Sequence, residues 1–172
     1  MPLVSVVIPC YNAARFLDET IASVQAQVGV DWELIVVDDG STDNSRACIE
    51  AWQLRLGDCM RTHSGPNAGV SVARNTGTAM AGGEFIQYLD ADDLLRPGTL
   101  QSRVEALAGG ADVAYCDWQR LCEGADGRFT PGEIVARKLE DVHRLPDIAL
   151  FTTFWSPPAA LMYRRKVVDA IG

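Results

Sequence analysis

Asp90, Asp92 and Asp93 place three carboxylates within four residues, directly after the mostly apolar run Phe85-Ile86-Gln87-Tyr88-Leu89. Carboxylates this close repel one another, and each raises its neighbours' pKa unless a positive charge intervenes. A divalent cation would answer that need, because hard cations prefer carboxylate oxygens. A solvated acidic turn that caps the following helix would use the same residues, so the surroundings decide between the two. Two further polar stretches, Pro9-Cys10-Tyr11-Asn12 and Asp38-Asp39-Gly40-Ser41-Thr42-Asp43, also follow apolar, β-branched runs. Another, running from Asn67 to Gly77 and carrying Arg74, precedes the acidic strand.

The elements that must position these residues alternate regularly. Leu3–Ile8 is a β-branched central strand, and Pro9 is expected to end it because proline cannot donate to a ladder. Asn12 is placed to cap a helix from about Ala13 to Gln27, with Phe16, Leu17, Ile21 and Val24 on one face. Leu34–Val37 reads as a second buried strand. Ser41 or Thr42 is expected to cap the next helix, which carries Cys48, Ile49, Trp52 and Leu56 at helical spacing and stops near Gly57. Met60–His63 fits a short third strand, and Gly65–Gly69 a loop. Val70–Ala81 fits a helix closed by Gly82-Gly83, and the acidic strand follows. This βαβ alternation predicts a doubly wound, mostly parallel, Rossmann-like sheet flanked by helices. Carboxylates at the C-terminal strand ends then lie where open α/β sheets bind ligands. Beyond Pro97 the pattern predicts a helix over Thr99–Leu107, a strand over Val113–Trp118 and a turn at Glu123–Gly127. Ala159–Tyr163 fits a strand and Arg165–Ile171 a helix, whereas Arg128–Leu150 shows no clear pattern.

With 172 residues, 48% hydrophobic and 22% charged, the chain fits one globular domain. A net charge of −8 and a pI near 4.7 argue against nucleic acid or anionic membrane as a partner, since a basic patch supplies that affinity. The same field would repel a phosphate-bearing ligand unless a metal lay between. Five cysteines, without paired ligand spacing and without a secretory signal, suggest reduced thiols and a cytoplasmic setting, with a peripheral place at the inner membrane face as a variant. No apolar run approaches the length of a membrane span.

Taken in order from Leu3 to Leu100, the polar strand ends and the Asn67–Gly77 stretch resemble the nucleotide-sugar half of family 2 glycosyltransferases, which have the GT-A fold. Ala159–Arg165 is also similar to a segment of that family. The resemblance implies a single domain: residues 1–100 form the nucleotide-sugar-binding half, and residues 101–172 begin an acceptor half that is incomplete. It implies an inverting transfer of a sugar from a nucleoside-diphosphate sugar, UDP above all, to a hydroxyl acceptor such as a glycan, lipid or small molecule. Pro9, Tyr11 and Asn12 would lie against the nucleotide. Stacking of the Tyr11 ring on a pyrimidine is worth about 1–3 kcal/mol in proteins that bind single-stranded nucleic acid, while packing against the first helix is its ordinary alternative. Asp39 would accept a hydrogen bond from the base N–H, with helix capping beside Ser41 and Thr42 as the alternative; Asp38 suits bonds to nearby backbone N–H groups better. Arg74 would face the diphosphate or hold the acidic strand end, unless it forms an ordinary ion pair. Asn67 and Gly69 shape their loop. Asp90 would contact ribose or metal with Ala91 beside it, and Asp92 would coordinate Mn²⁺ or Mg²⁺. Asp93 would cap the next helix.

The general base is implied to lie in an acidic motif downstream of Leu161–Arg165, beyond Gly172. Asp117, Glu133, Glu140, Asp141 and Asp147 stand at positions the resemblance does not mark. His63 fits a strand end, and His143 has no recognisable partner. Trp118, Trp155 and Tyr163 could line a sugar-acceptor groove or simply pack in the core. The rivals are a nucleotide-sugar binding module or fragment without turnover and a sugar nucleotidyltransferase. The latter usually carries a glycine-rich, Arg-containing loop where Pro9-Cys10-Tyr11-Asn12 stands.

Overall fold

The computed structural model describes residues 3–136 and 157–171. Along the chain run β1 (Leu3–Cys10), α1 (Leu17–Gln25), β2 (Asp31–Asp38), α2 (Ser45–Leu56), β3 (Met60–Ser64), α3 (Val70–Met80) and β4 (Phe85–Tyr88). Then come α4 (Thr99–Ala108), β5 (Val113–Tyr115), the hairpin strands β6 (Trp118–Glu123) and β7 (Phe129–Val135), β8 (Leu161–Arg164) and α5 (Arg165–Ile171). The main sheet has the order β3-β2-β1-β4-β8-β5. Its first four strands are mutually parallel, whereas β8 runs antiparallel to both β4 and β5. This is the expected doubly wound α/β sheet, with one reversed strand inserted.

Alternation along β1 divides the core. Val4, Val6 and Ile8 pack with Leu17, Ile21, Ile49, Trp52, Leu100 and Leu107, so α1, α2 and α4 cover one face. Val7 packs on the other face with Ile35, Val37, Ala73 and Ile86, beneath α3 and Val168 of α5. Helix α3 lies very close to β1. A Cβ on Gly77 would stand 2.4 Å from Val7 Cγ1, so only glycine permits that approach.

Several boundaries depart from the sequence-based expectation. β1 runs through Pro9 to Cys10 rather than ending at the proline. The last β1–β4 pair is Val7 with Tyr88. Leu3 and Val7 accept bonds from the β4 side and Cys10 accepts one from Asp39, so the missing N–H of Pro9 faces a ladder that has already ended. Helix α1 starts at Leu17, not Ala13, because Ala13 to Phe16 form a turn in which the Ala13 carbonyl accepts both Phe16 and Leu17 N–H. The 113–118 segment splits: β5 ends at Tyr115, and Trp118 opens a separate two-stranded sheet. Ala159 and Ala160 lie in a 3₁₀ turn just before β8.

Candidate functional site

The C-terminal ends of β2, β1 and β4 meet at one edge of the sheet, and side chains from each loop fix the others in place. Asn12 does not cap α1. Its backbone is left-handed (φ 51°), a conformation asparagine tolerates. Its Oδ1 accepts the N–H groups of Thr42 at 2.8 Å and Asp43 at 3.3 Å, tying the loop after β1 to the loop after β2. Nor do Ser41 and Thr42 cap α2. Asn44 stands at the N-cap of α2, and Asp43 just before it closes the turn, its Oδ1 accepting the Ser45 N–H at 2.9 Å and its Oδ2 the Ala14 N–H at 3.0 Å. Bonding to the Ser45 hydroxyl, and then to backbone N–H groups, holds the Asp43 carboxyl below the usual range.

Asp38 and Asp39 are both buried. Asp38 Oδ1 accepts the Ser41 N–H at 3.0 Å, as expected for a residue that organises local backbone. The Asp39 carboxylate is divided between Ala68 N–H at 2.8 Å and Gly69 N–H at 2.9 Å, so it anchors the loop that leads into α3 rather than capping α2. Gly40 allows that loop to close. It has a φ of +75°, and a Cβ there would lie 2.7 Å from Asn67 N.

Helix α3, started at this anchor, carries Arg74 to the end of β4. Arg74 Nη2 donates to Asp90 Oδ1 at 2.6 Å, with 25% and 31% of the two side chains exposed. Ala91 is buried, and its carbonyl accepts the Thr20 hydroxyl at 2.9 Å, which ties the acidic turn to α1. Asp92 is exposed. Asp93 caps no helix: α4 begins at Thr99 with Gly98 as its cap, and the Asp93 N–H folds back to the Asp90 carbonyl. Burial first, then Asp92 and Asp90, push the Asp93 carboxyl up to about 6. Tyr11 projects from the same edge with 52% of its surface exposed, and Pro9 is buried in β1 below it.

The residues suit a divalent cation. Among the described residues no group of three or more His, Cys, Asp or Glu side chains could hold a metal by itself. Mg²⁺ is commonly bound through one or two carboxylates completed by substrate phosphates and water, which Asp90 and Asp92 could provide. The Asp93 carboxyl is raised first by burial and then by the Asp92 and Asp90 charges, and a cation would offset the second part.

One neighbour of the loop after β1 was not legible in the sequence. The β6–β7 hairpin leaves the edge after β5 and returns over the loop after β1. Arg15 pairs with Glu123 and lies 5.0 Å and 5.5 Å from the ring centroids of Phe16 and Phe129. The only local signal was the turn at Glu123–Gly127, which the hairpin does contain. His63 stands exposed near the end of β3, paired with Val37 of β2, and Trp118 is half-buried in the hairpin. Asp117 and Glu133 are exposed. Glu140, Asp141, His143, Asp147 and Trp155 lie outside the described residues.

An open, mostly parallel α/β sheet whose polar strand ends converge at one edge defines a ligand-binding doubly wound protein. Residues 5–172 match the model of glycosyl transferase family 2, and the chain belongs to that family. An uncharacterized glycosyltransferase of Nostoc is 36% identical over 171 residues, covering 98% of this chain and 52% of the relative. The putative teichuronic acid biosynthesis glycosyltransferase TuaG of Bacillus subtilis is 36% identical over 104 residues, covering 60% of this chain and 41% of its own. Two solved structures share the GT-A fold. Staphylococcus aureus TarS, in complex with UDP-GlcNAc, superposes with a TM-score of 0.73 at 23% identity, over 98% of this chain and 47% of that one. The mannosyltransferase PcManGT of Pyrobaculum calidifontis, in complex with GDP-Man and Mn²⁺, also gives 0.73, at 22% identity over 99% and 47%. The chain spans about half the length of the curated relatives it matches, 52% for the Nostoc protein. Among the described residues no helix is long and apolar enough to cross a membrane.

Proposed function

We propose that this chain provides the donor site of an inverting glycosyltransferase that moves a sugar from a UDP-sugar to a hydroxyl acceptor with the help of Mn²⁺ or Mg²⁺. The observation that carries the reading is the Arg74–Asp90 pair of 2.6 Å at the end of β4, beside the exposed Asp92 and opposite the exposed Tyr11 ring. Residues 1–100 bind the donor and residues 101–172 begin the acceptor half. Tyr11 stacks on the uracil ring, and Pro9 and Asn12 hold the loop that presents it. Asp39 sets the start of α3, its two oxygens given to the Ala68 and Gly69 N–H groups. Arg74 offers positive charge to the diphosphate while keeping Asp90 oriented. Asp90 and Asp92 would hold the cation, with the Ala91 carbonyl fixing the turn between them. A cation bound there supplies Lewis-acid stabilisation of the negative charge that develops on the departing diphosphate. Family membership, and neighbours solved with UDP-GlcNAc and with GDP-Man and Mn²⁺, support the donor class.

The test is calorimetric titration of UDP with Mn²⁺ and again with EDTA. Affinity is expected to drop sharply in EDTA, and Asp92→Asn should abolish most of the difference while leaving the unfolding midpoint unchanged. Equal affinity with and without the metal would refute a cation bridging protein and diphosphate.

A further inference from the structure

The β6–β7 hairpin forms a sheet of its own rather than extending the main one, and a two-stranded ribbon is marginally stable in water without outside support. Its tip finds that support on the loop after β1. Glu123 and Phe129 are cross-strand partners that close the turn, where the Gly124 N–H donates to the Arg128 carbonyl at 2.8 Å. Both reach the same residue. Arg15 pairs with the Glu123 carboxylate, and its guanidinium carbon lies 5.5 Å from the centroid of the Phe129 ring and 5.0 Å from that of Phe16. The two rings also meet edge to face, with centroids 6.0 Å apart and planes at 71°. One cross-strand pair of the hairpin thus grips two successive residues of the loop.

The gripped loop is the one that carries Tyr11 and Asn12. Its other side is fixed by the loop after β2: the Asn12 N–H donates to Ser41 Oγ at 3.0 Å, the Ala13 N–H to Ser45 Oγ at 2.9 Å and the Ala14 N–H to Asp43 Oδ2 at 3.0 Å. Residues 12–14 are therefore held from the β2 side, and residues 15 and 16 from the hairpin side. Each contact of the tip is weak by itself, since an exposed ion pair contributes little and the cation–π and edge-to-face contacts add modestly. Together they restrict where the loop can stand. A binding loop already in its bound position loses less freedom when ligand arrives, which raises affinity. Linkage makes the effect reciprocal: a ligand that favours the gripped loop also favours the docked hairpin.

We infer that Arg15 is a positioning residue, through which the β6–β7 hairpin presets the Tyr11–Asn12 loop for the nucleotide and is itself held in place when the nucleotide binds. The inference rests on the donor reading above and adds to it an element that acts through the loop rather than on the ligand.

A charge swap across the Arg15–Glu123 pair tests it. UDP affinity in the presence of Mn²⁺ is measured by calorimetry, and amide hydrogen exchange over residues 118–135 is followed with and without UDP. Arg15→Glu and Glu123→Arg should each weaken UDP binding by about fivefold, and the double variant, which restores an oppositely charged pair, should recover to within about twofold of wild type. Phe129→Ala, which changes no charge, should weaken binding by about threefold. Urea midpoints should stay close to wild type in every variant, because Arg15, Glu123 and Phe129 are all exposed. UDP should slow exchange across the hairpin in wild type and in the double variant, but not in the single variants. If the wild-type chain fails to bind UDP, the donor reading falls and this inference with it. If UDP binds but leaves hairpin exchange unchanged, or the double variant binds as weakly as Arg15→Glu, the coupling alone is overturned.

Discussion

Asp39→Asn separates a structural carboxylate from a ligand-reading one. In the wild-type chain both oxygens of Asp39 accept backbone N–H groups, from Ala68 at 2.8 Å and Gly69 at 2.9 Å. Hydrogen bonds to a charged group are worth about 1.5–3 kcal/mol each. Asparagine keeps the shape and one acceptor, now uncharged, and turns an NH₂ group against the second N–H. Ala68 is exposed, so water can satisfy part of what is lost. The net cost is therefore about 2 kcal/mol, which corresponds to a fall of about 1 M in the urea midpoint for a domain of this size. The consequence reaches the site, because Gly69 immediately precedes α3 and α3 delivers Arg74 to Asp90. UDP and CDP affinities should thus weaken by similar factors. Tryptophan-fluorescence urea unfolding and calorimetry with both nucleotides check the two halves of the expectation. An unchanged midpoint together with a loss confined to UDP would refute it, and would show the carboxylate engaged by the base rather than by the loop.

Two further predictions concern pH. Burial alone would raise the Glu33 carboxyl, but the Ser5 hydroxyl, the Gly82 N–H and Arg61 outweigh it and hold the group below its ordinary value. A depressed folded pKa gives stability that is present above the unfolded value, about 4.3, and lost as pH falls through the folded one. Glu33→Gln should therefore cost about 2 kcal/mol at pH 7 and progressively less below about pH 4, as followed by urea titrations; a pH-independent difference would contradict this account. Asp93 has the opposite sign. Its carboxyl is raised from 3.8 to about 6, so ionising it destabilises the fold, and metal-free stability should decline as pH rises between those values. The full shift corresponds to about 3 kcal/mol, which solvent screening at this partly exposed group reduces to about 1–2 kcal/mol. Asp93→Asn should stabilise the metal-free chain by that amount above pH 7, and identical pH profiles for variant and wild type would show that the acidic cluster carries no such strain.

The parts of this molecule legible in the sequence are those whose cause is local. Buried parallel strands are continuous apolar runs, so β1, β2 and β4 and the polar residues at their ends stand out, and helical spacing marks the buried face of α2. The resemblance to the family rests on the order of those same strand ends, together with the Asn67–Gly77 and Ala159–Arg165 stretches. The misplaced features are those whose partners lie far away in the chain. Asn12 has the composition of a helix cap, yet its partners are some thirty positions on, at Thr42 and Asp43. Nothing near Phe129 announces that its ring will meet Arg15, and nothing near Leu161 says that β8 will slot antiparallel between β4 and β5.

Those long-range bonds also divide the acidic residues by role in a way that composition could not. Asp38, Asp39 and Asp43, around the end of β2, all give their oxygens to backbone N–H groups, and the loops they close form the frame of the site. At the end of β4 the carboxylates are not absorbed in this way. Asp90 meets a guanidinium, Asp92 faces solvent, and Asp93 is held toward its protonated form by burial and by its two neighbours. Two acidic clusters of similar sequence thus differ in electrostatic state: the first is satisfied by the fold, and the second retains a surplus of negative charge. A ligand that brings in positive charge should act on the second alone. This is why Asp92→Asn and Asp93→Asn are expected to alter metal response and pH profile, whereas Asp39→Asn acts first on stability.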